Sequence, residues 1–133
     1  MNFILFTHKD ALQKGARLQN AIENSDHGNK LQVYKTFNSF KSRLKVDFGD
    51  TRNEILILFA ESRQRLNHLI SLSDLMEGRR IVLILPDESK QTLSIASKFF
   101  PRFFTTVRDN YNDLCDVIDK MTDKNSNEYR VKY

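Results

Sequence analysis

Two periodicities alternate along the chain. Apolar runs of strand length are each followed by a stretch with helical spacing, five times over. This alternation predicts βαβ units and a parallel sheet. The strands fall at residues 2–7, about 30–36, 54–60, 80–85 and 102–107. The first helix runs to about residue 24, with Asp10 as its cap and Leu12, Ala16, Leu18 and Ile22 on one face. The second, short helix covers 38–46. The third begins near Ser62 and carries Leu66, Leu69, Ile70, Leu75 and Met76. Ser73 predicts a separate last turn there, and Gly78 a C-terminal cap. The fourth helix covers about 88–100 and stops at Pro101. The fifth covers 111–121, with Leu114, Val117, Ile118 and Met121 on one side. Residues 25–29 and 48–51 form turn or loop clusters. From Thr122 onward the chain is polar, which predicts a domain over 1–121 and a loosely ordered tail over 122–133.

Strand polarity predicts the sheet order. The third and fourth strands are apolar at nearly every residue, as central parallel strands covered on both faces should be. The second and fifth contain Gln32, Lys35, Thr105 and Thr106, which suits edges. Right-handed crossovers then leave the order 2-1-3-4-5 in a three-layer α/β/α sandwich, the flavodoxin-like arrangement.

Bulk properties narrow the function classes. The 133 residues fit one domain with a real core, and 40% hydrophobic with 29% charged residues suits a soluble chain. No apolar run approaches the roughly 20 residues that span a bilayer. Residues 1–6 are too short and lack the basic start of a signal peptide. One cysteine, Cys115, allows no internal disulfide and fits a reducing compartment, so the expected location is the cytoplasm. Lys plus Arg number 21 against 17 Asp plus Glu, a charge of +4. That permits nucleic-acid contact without demanding it.

Ligands of such sheets bind outside the carboxyl ends of the strands. Those ends are Thr7-His8-Lys9, Ala60-Glu61, Pro86-Asp87-Glu88 and Arg108. A phosphate cradle after the first strand needs glycine or small hydroxyl residues for close backbone approach. Thr7-His8-Lys9-Asp10 has no glycine, and none of the four glycines stands at a strand-to-helix turn on this edge. No nucleotide, flavin or other cofactor is expected.

The order of elements, the size and the apolar run Ile55-Leu56-Ile57-Leu58-Phe59 resemble the receiver domains of response regulators, over about residues 2–121. The resemblance implies an acidic pair after the first strand, a phosphoacceptor Asp ending the third, a hydroxyl after the fourth and a Lys after the fifth. Here these positions fall on Thr7 and His8, on Phe59 or Ala60, on Pro86 or Asp87, and on Val107 or Arg108. An aspartyl phosphate needs a carboxylate nucleophile and Mg²⁺, so a receiver lacking phosphorylation is implied.

Other residues have plain readings beside sharper ones. His8, Glu61, Asp87 and Glu88 could meet around a metal, but no paired His or Cys spacing supports it, and the acids suit first helical turns. His27 and His68 read as surface or rim residues, and Cys115 as a structural or surface thiol. Lys35, Lys41, Arg43, Lys45, Arg63, Arg65, Lys98, Arg102 and Arg108 are basic, yet acids interleave and no nucleic-acid motif appears. Phe99, Phe100, Phe103 and Phe104 flank Pro101. Neighbours on a strand face opposite sides, but helices cover both faces of such a sheet, so core packing accounts for most of these rings, and exposure of one or two as a contact patch is the sharper alternative. In receivers the face formed by the fourth helix, fifth strand and fifth helix is the usual partner and dimer surface. By resemblance, Phe99, Phe100, Arg102, Phe103 and Phe104 mark the expected partner face. The expectation is a non-catalytic signalling module of a two-component type, acting on another protein or as a homodimer. A basic nucleic-acid-binding accessory protein and a small-molecule binder are the alternatives.

Overall fold

A computed structural model describes residues 2–24, 30–46 and 54–131, with side chains described up to residue 121. The turn read at 25–29, including His27, and the loop read at 48–51 lie outside them. Five strands, β1 (Asn2–Thr7), β2 (Lys30–Tyr34), β3 (Glu54–Phe59), β4 (Arg80–Leu85) and β5 (Phe103–Thr106), form one sheet. Every pairing is parallel and the order is β2-β1-β3-β4-β5. The helices are α1 (Leu12–Asn24), α2 (Phe37–Lys45), α3 (Arg63–Ile70), α4 (Ser73–Met76), α5 (Lys90–Ser97) and α6 (Asn112–Val131). They cover both faces of the sheet, giving the flavodoxin-like three-layer arrangement. Among the described residues no helix is long and apolar enough to cross a membrane.

Alternation along the strands builds two cores. Ile4, Phe6, Leu56, Leu58, Leu83 and Leu85 face one way, onto Phe40, Leu66, Leu69, Met76 and Ala96 of the helices α2–α5. Phe3, Leu5, Ile55, Ile57, Val82 and Ile84 face the other way, onto Leu18, Ile22, Leu114 and Ile118 of α1 and α6. β3 is buried at all six residues, whereas β2 has no buried residue, which is the polarity contrast expected of centre and edge.

Helix boundaries depart from the sequence reading where side chains choose different caps. Asp10 does not cap α1. It lies within a 3₁₀ turn, Lys9–Ala11, capped by His8, whose Nδ1 accepts from the Asp10 amide at 3.1 Å. The third helix is broken as expected, but Leu72 holds the cap position of α4 and Ser73 is already helical. Thr36, Ser62 and Ser89 cap α2, α3 and α5 by accepting from the amide three residues on. Glu61, Asp87 and Glu88 therefore precede the helices and do not occupy their first turns. Gly78 takes φ +81 after α4, a conformation that favours glycine. α6 runs past Met121, the helix end read from the sequence, to Val131.

Candidate functional site

The carboxyl ends of β1 and β3 are packed and bonded by the chain's own side chains. β1 ends on Thr7, which is fully buried. Gly15 lets α1 approach it: a Cβ there would stand 3.0 Å from the Thr7 Cβ. Lys35, following β2, donates from Nζ to Thr7 Oγ1 at 3.0 Å and to Gln19 Oε1 at 3.4 Å. The Lys9 amide donates to the Lys35 carbonyl at 2.8 Å, which fixes the two strand ends together. The acidic pair implied by the receiver resemblance is thus replaced by a hydroxyl facing a lysine and a histidine that caps its own turn.

At the end of β3, Phe59 and Ala60 are both fully buried. Phe59 packs into the core beneath α1 and α6, and Ala60 into the opposite core. The Ala60 amide donates to the Ile84 carbonyl at 2.9 Å, continuing the ladder. The first carboxylate beyond them is Glu61. Arg65 Nε donates to its Oε1 at 2.6 Å, an i, i+4 pair, while Arg65 also lies 3.9 Å from Asp10 Oδ2. Glu61 Oε2 is buried with no hydrogen-bond partner among the described residues. Beside it opens a 380 Å³ cleft lined by Asp10, Leu12, Gln13, Lys14 and Glu61. Leu12 takes φ 47 with its side chain largely exposed at that cleft.

β4 leads into Pro86, which is half-buried, and Asp87, which is exposed. Asp87 Oδ1 accepts from the Ser89 amide at 2.9 Å. Hydrogen bonds from the Thr92 hydroxyl and then from Ser89 lower its pKa to about 2. β5 leads into Val107, whose amide donates to the Leu85 carbonyl at 2.9 Å. Arg108 is exposed and, with Pro86, Asp87, Glu88 and Thr106, lines a 310 Å³ cleft. The following loop is held by Arg17 of α1. Its guanidinium donates to the carbonyls of Val107, at 3.3 Å, and Asp109, and lies 5.0 Å from the centre of the buried Tyr111 ring. The Thr105 hydroxyl donates to Asp109, which lowers the Asp109 pKa, whereas burial raises that of Tyr111. His8, Glu61, Asp87 and Glu88 do not assemble: among the described residues no three His, Cys, Asp or Glu side chains are placed to hold a metal.

The opposite, amino edge holds a buried ion triad. Glu54, at the start of β3, is 3% exposed. Arg43 of α2 donates to its Oε2 at 2.6 Å and Arg79 to its Oε1 at 3.2 Å. Arg43 also reaches Gln32 Oε1 at 3.1 Å and Arg79 the Leu44 carbonyl at 3.3 Å. Several cations of the basic set are therefore spent internally: Lys35 on Thr7, Arg43 on Glu54 and Arg65 on Glu61.

The four phenylalanines near Pro101 split as alternation requires. Phe99 is buried in the core under α5, and Phe103 packs partly into the core under α6. Phe104 pairs with Leu83 on the other face and is 45% exposed. Phe100 is 87% exposed and takes φ 50. Arg102 beside it is also exposed. Phe100 and Arg102 line a 530 Å³ cleft together with Asp74, Glu77, Gly78 and Lys98. Two features here escape sequence reading. The Glu61–Arg65 pair carries a visible signal, its i, i+4 spacing. The Arg43–Glu54–Arg79 triad joins residues too far apart in the chain to leave one.

Among known proteins, no family model, curated sequence or solved structure matches this chain.

Proposed function

We propose that this chain is a non-catalytic, receiver-like regulatory module that works by protein contact in a reducing compartment, without aspartyl phosphorylation. The observation that carries this reading is the end of β3. Phe59 and Ala60 are fully buried there and neither is a carboxylate. The nearest acid, Glu61, is bonded to Arg65. Phosphoryl transfer needs a free carboxylate and a cation to neutralise the transferring group. Here Glu61 already faces a guanidinium, and Lys35 and Thr7 satisfy each other where the metal-binding acids would stand.

Contact is then the remaining route to a biological effect. The exposed rings Phe100 and Phe104, with Arg102, support a partner surface at the β5 side of the sheet. Exposed aromatic and arginine side chains are the residue types that dominate protein interfaces.

The test is incubation of the full chain with acetyl phosphate and Mg²⁺, followed by intact mass measurement. The expected result is no covalent phosphoryl adduct. An adduct that vanishes in Glu61→Gln would overturn the reading and assign Glu61 as the acceptor.

A further inference from the structure

Phe100 is unfavourable twice over within its own chain. Its φ of 50 lies in the left-handed region that glycine tolerates and bulky residues avoid. Its ring is 87% exposed, so the fold gains almost no burial from it. An outlier that does not serve the fold points to a role outside it.

The surroundings say what that role is. The cleft beside Phe100 lies at the amino ends of β4 and β5, between two stretches of chain. One bank, residues 73–81, presents Asp74 and Glu77, with Arg80 half-buried beside them and engaged in an interaction of its own. The other, residues 98–102, presents Lys98 and Arg102. The four presented charges are all exposed. Among the described residues none of their side chains has a hydrogen bond or ion pair. Arg79, in the floor, is already committed to Glu54. The exposed, unpaired charges of the cleft are therefore polarised, acidic on one bank and basic on the other, with a protruding ring on the basic side.

A two-fold axis lying in the plane of the cleft mouth, along the length of the cleft, brings two clefts face to face with their banks exchanged. The acidic bank of one copy then meets the basic bank of the other, twice, and each Phe100 enters the other copy's cleft. Knob and hole adjacent on one surface are what an isologous interface requires. A uniformly acidic peptide or a nucleic-acid strand would instead meet Asp74 and Glu77 as like charges. We infer that this cleft is a self-association site, in which a second copy of the chain inserts Phe100 and pairs Lys98 and Arg102 with Asp74 and Glu77. The inference rests on the reading of the chain as a contact module and names its partner. It sets the two-fold at the amino edge, not along α5, β5 and α6.

Sedimentation velocity of the full chain over a range of concentrations tests it. The expected result is a dimer that dissociates on dilution and in high salt. Phe100→Glu should weaken dimerisation about tenfold or more. Lys98→Glu with Arg102→Glu makes both banks acidic, and Asp74→Lys with Glu77→Lys makes both basic. Each double variant alone should be monomeric, and an equimolar mixture should form a heterodimer. Asp116→Lys, on exposed α6, should leave the dimer intact. All these positions are exposed, and circular dichroism checks that each variant folds.

A wild-type chain that stays monomeric would overturn the inference. So would a dimer indifferent to Phe100→Glu and to the bank swaps, a dimer broken by Asp116→Lys, or a mixture no more associated than its parts. A monomeric chain that binds a single-stranded oligonucleotide through Phe100 would assign the cleft to nucleic acid instead. None of these results bears on phosphorylation, so the contact-module reading stands or falls separately on the mass measurement.

Discussion

The two edges of the sheet each carry an exposed apolar side chain at positive φ, Leu12 at the carboxyl edge and Phe100 at the amino edge. They differ in the charges around them. At the carboxyl edge the polar groups answer one another: Arg65 holds Glu61, Lys35 holds Thr7, and His8 caps its own turn. At the amino-edge cleft, Asp74 and Glu77 stand opposite Lys98 and Arg102 without pairing across it. The ends of β1 and β3, where ligands of this fold usually bind, are tied into these internal bonds, with Glu61 Oε2 left unpartnered among the described residues. The opposite end presents unmatched charge above a buried ionic base. Strand ends tied into their own hydrogen bonds leave fewer free groups for a partner than charges kept apart on two banks.

The largest test of this contrast is whether the amino edge is open yet rigid. Glu54→Ala would leave Arg43 and Arg79 buried without their shared carboxylate. Loss of one partner from a buried ionic group typically costs about 3–5 kcal/mol. Urea unfolding should show a loss of that order. A loss below about 1 kcal/mol would mean that the triad does not brace this edge.

Closure of the carboxyl edge rests on the approach of α1 to Thr7. Gly15→Val adds a branched side chain where even a Cβ is crowded at 3.0 Å, and valine is a weaker helix former than most. Overpacking of this kind costs about 1–3 kcal/mol. The same unfolding measurement should show it, and an unchanged midpoint would place the helix farther from the strand end.

Phe100→Gly tests the strain at the other edge with the opposite sign. At concentrations where the chain is monomeric, glycine relieves the left-handed conformation. Stability should then rise by about 1 kcal/mol. A fall would show that the ring supports its own fold.

The smallest effect concerns acid. Asp87 has its pKa lowered from 3.8 to about 2, chiefly by the Thr92 hydroxyl and then by Ser89. A lowered folded-state pKa contributes stability that is present above about 3.8 and is lost as pH falls toward 2. Asp109, lowered by the Thr105 hydroxyl, acts in the same direction. Melting temperature should therefore drop from pH 5 to pH 2, and Asp87→Asn should make that drop shallower. An identical slope in the variant would remove Asp87 from the account.

Much of the fold was legible because burial writes itself into composition. The unbroken apolar runs of β3 and β4 mark central strands, and Gln32 and Thr105 mark edges, which is enough to order the sheet. The break between α3 and α4 was legible too. Caps were less so, because His8 outcompetes Asp10 through a side-chain bond that depends on local backbone angles. That no acid stands at Thr7, His8, Phe59 or Ala60 could be read directly. What fills that edge could be read only in part, since Lys35 meets Thr7 across 28 positions. Nor does sequence show that Phe100, unlike Phe99 beside it, points into solvent. That follows from a single positive φ after α5.

On the proposed reading, the carboxyl edge takes no phosphoryl group. The most direct measurement is an amide chemical-shift map of the isotope-labelled chain, titrated with Mg²⁺ and beryllofluoride, a mimic of an acyl phosphate. No saturable shifts are expected at residues 7–10, 59–61, 86–88 and 107–108. Saturable, Mg²⁺-dependent shifts centred on those residues would contradict that reading.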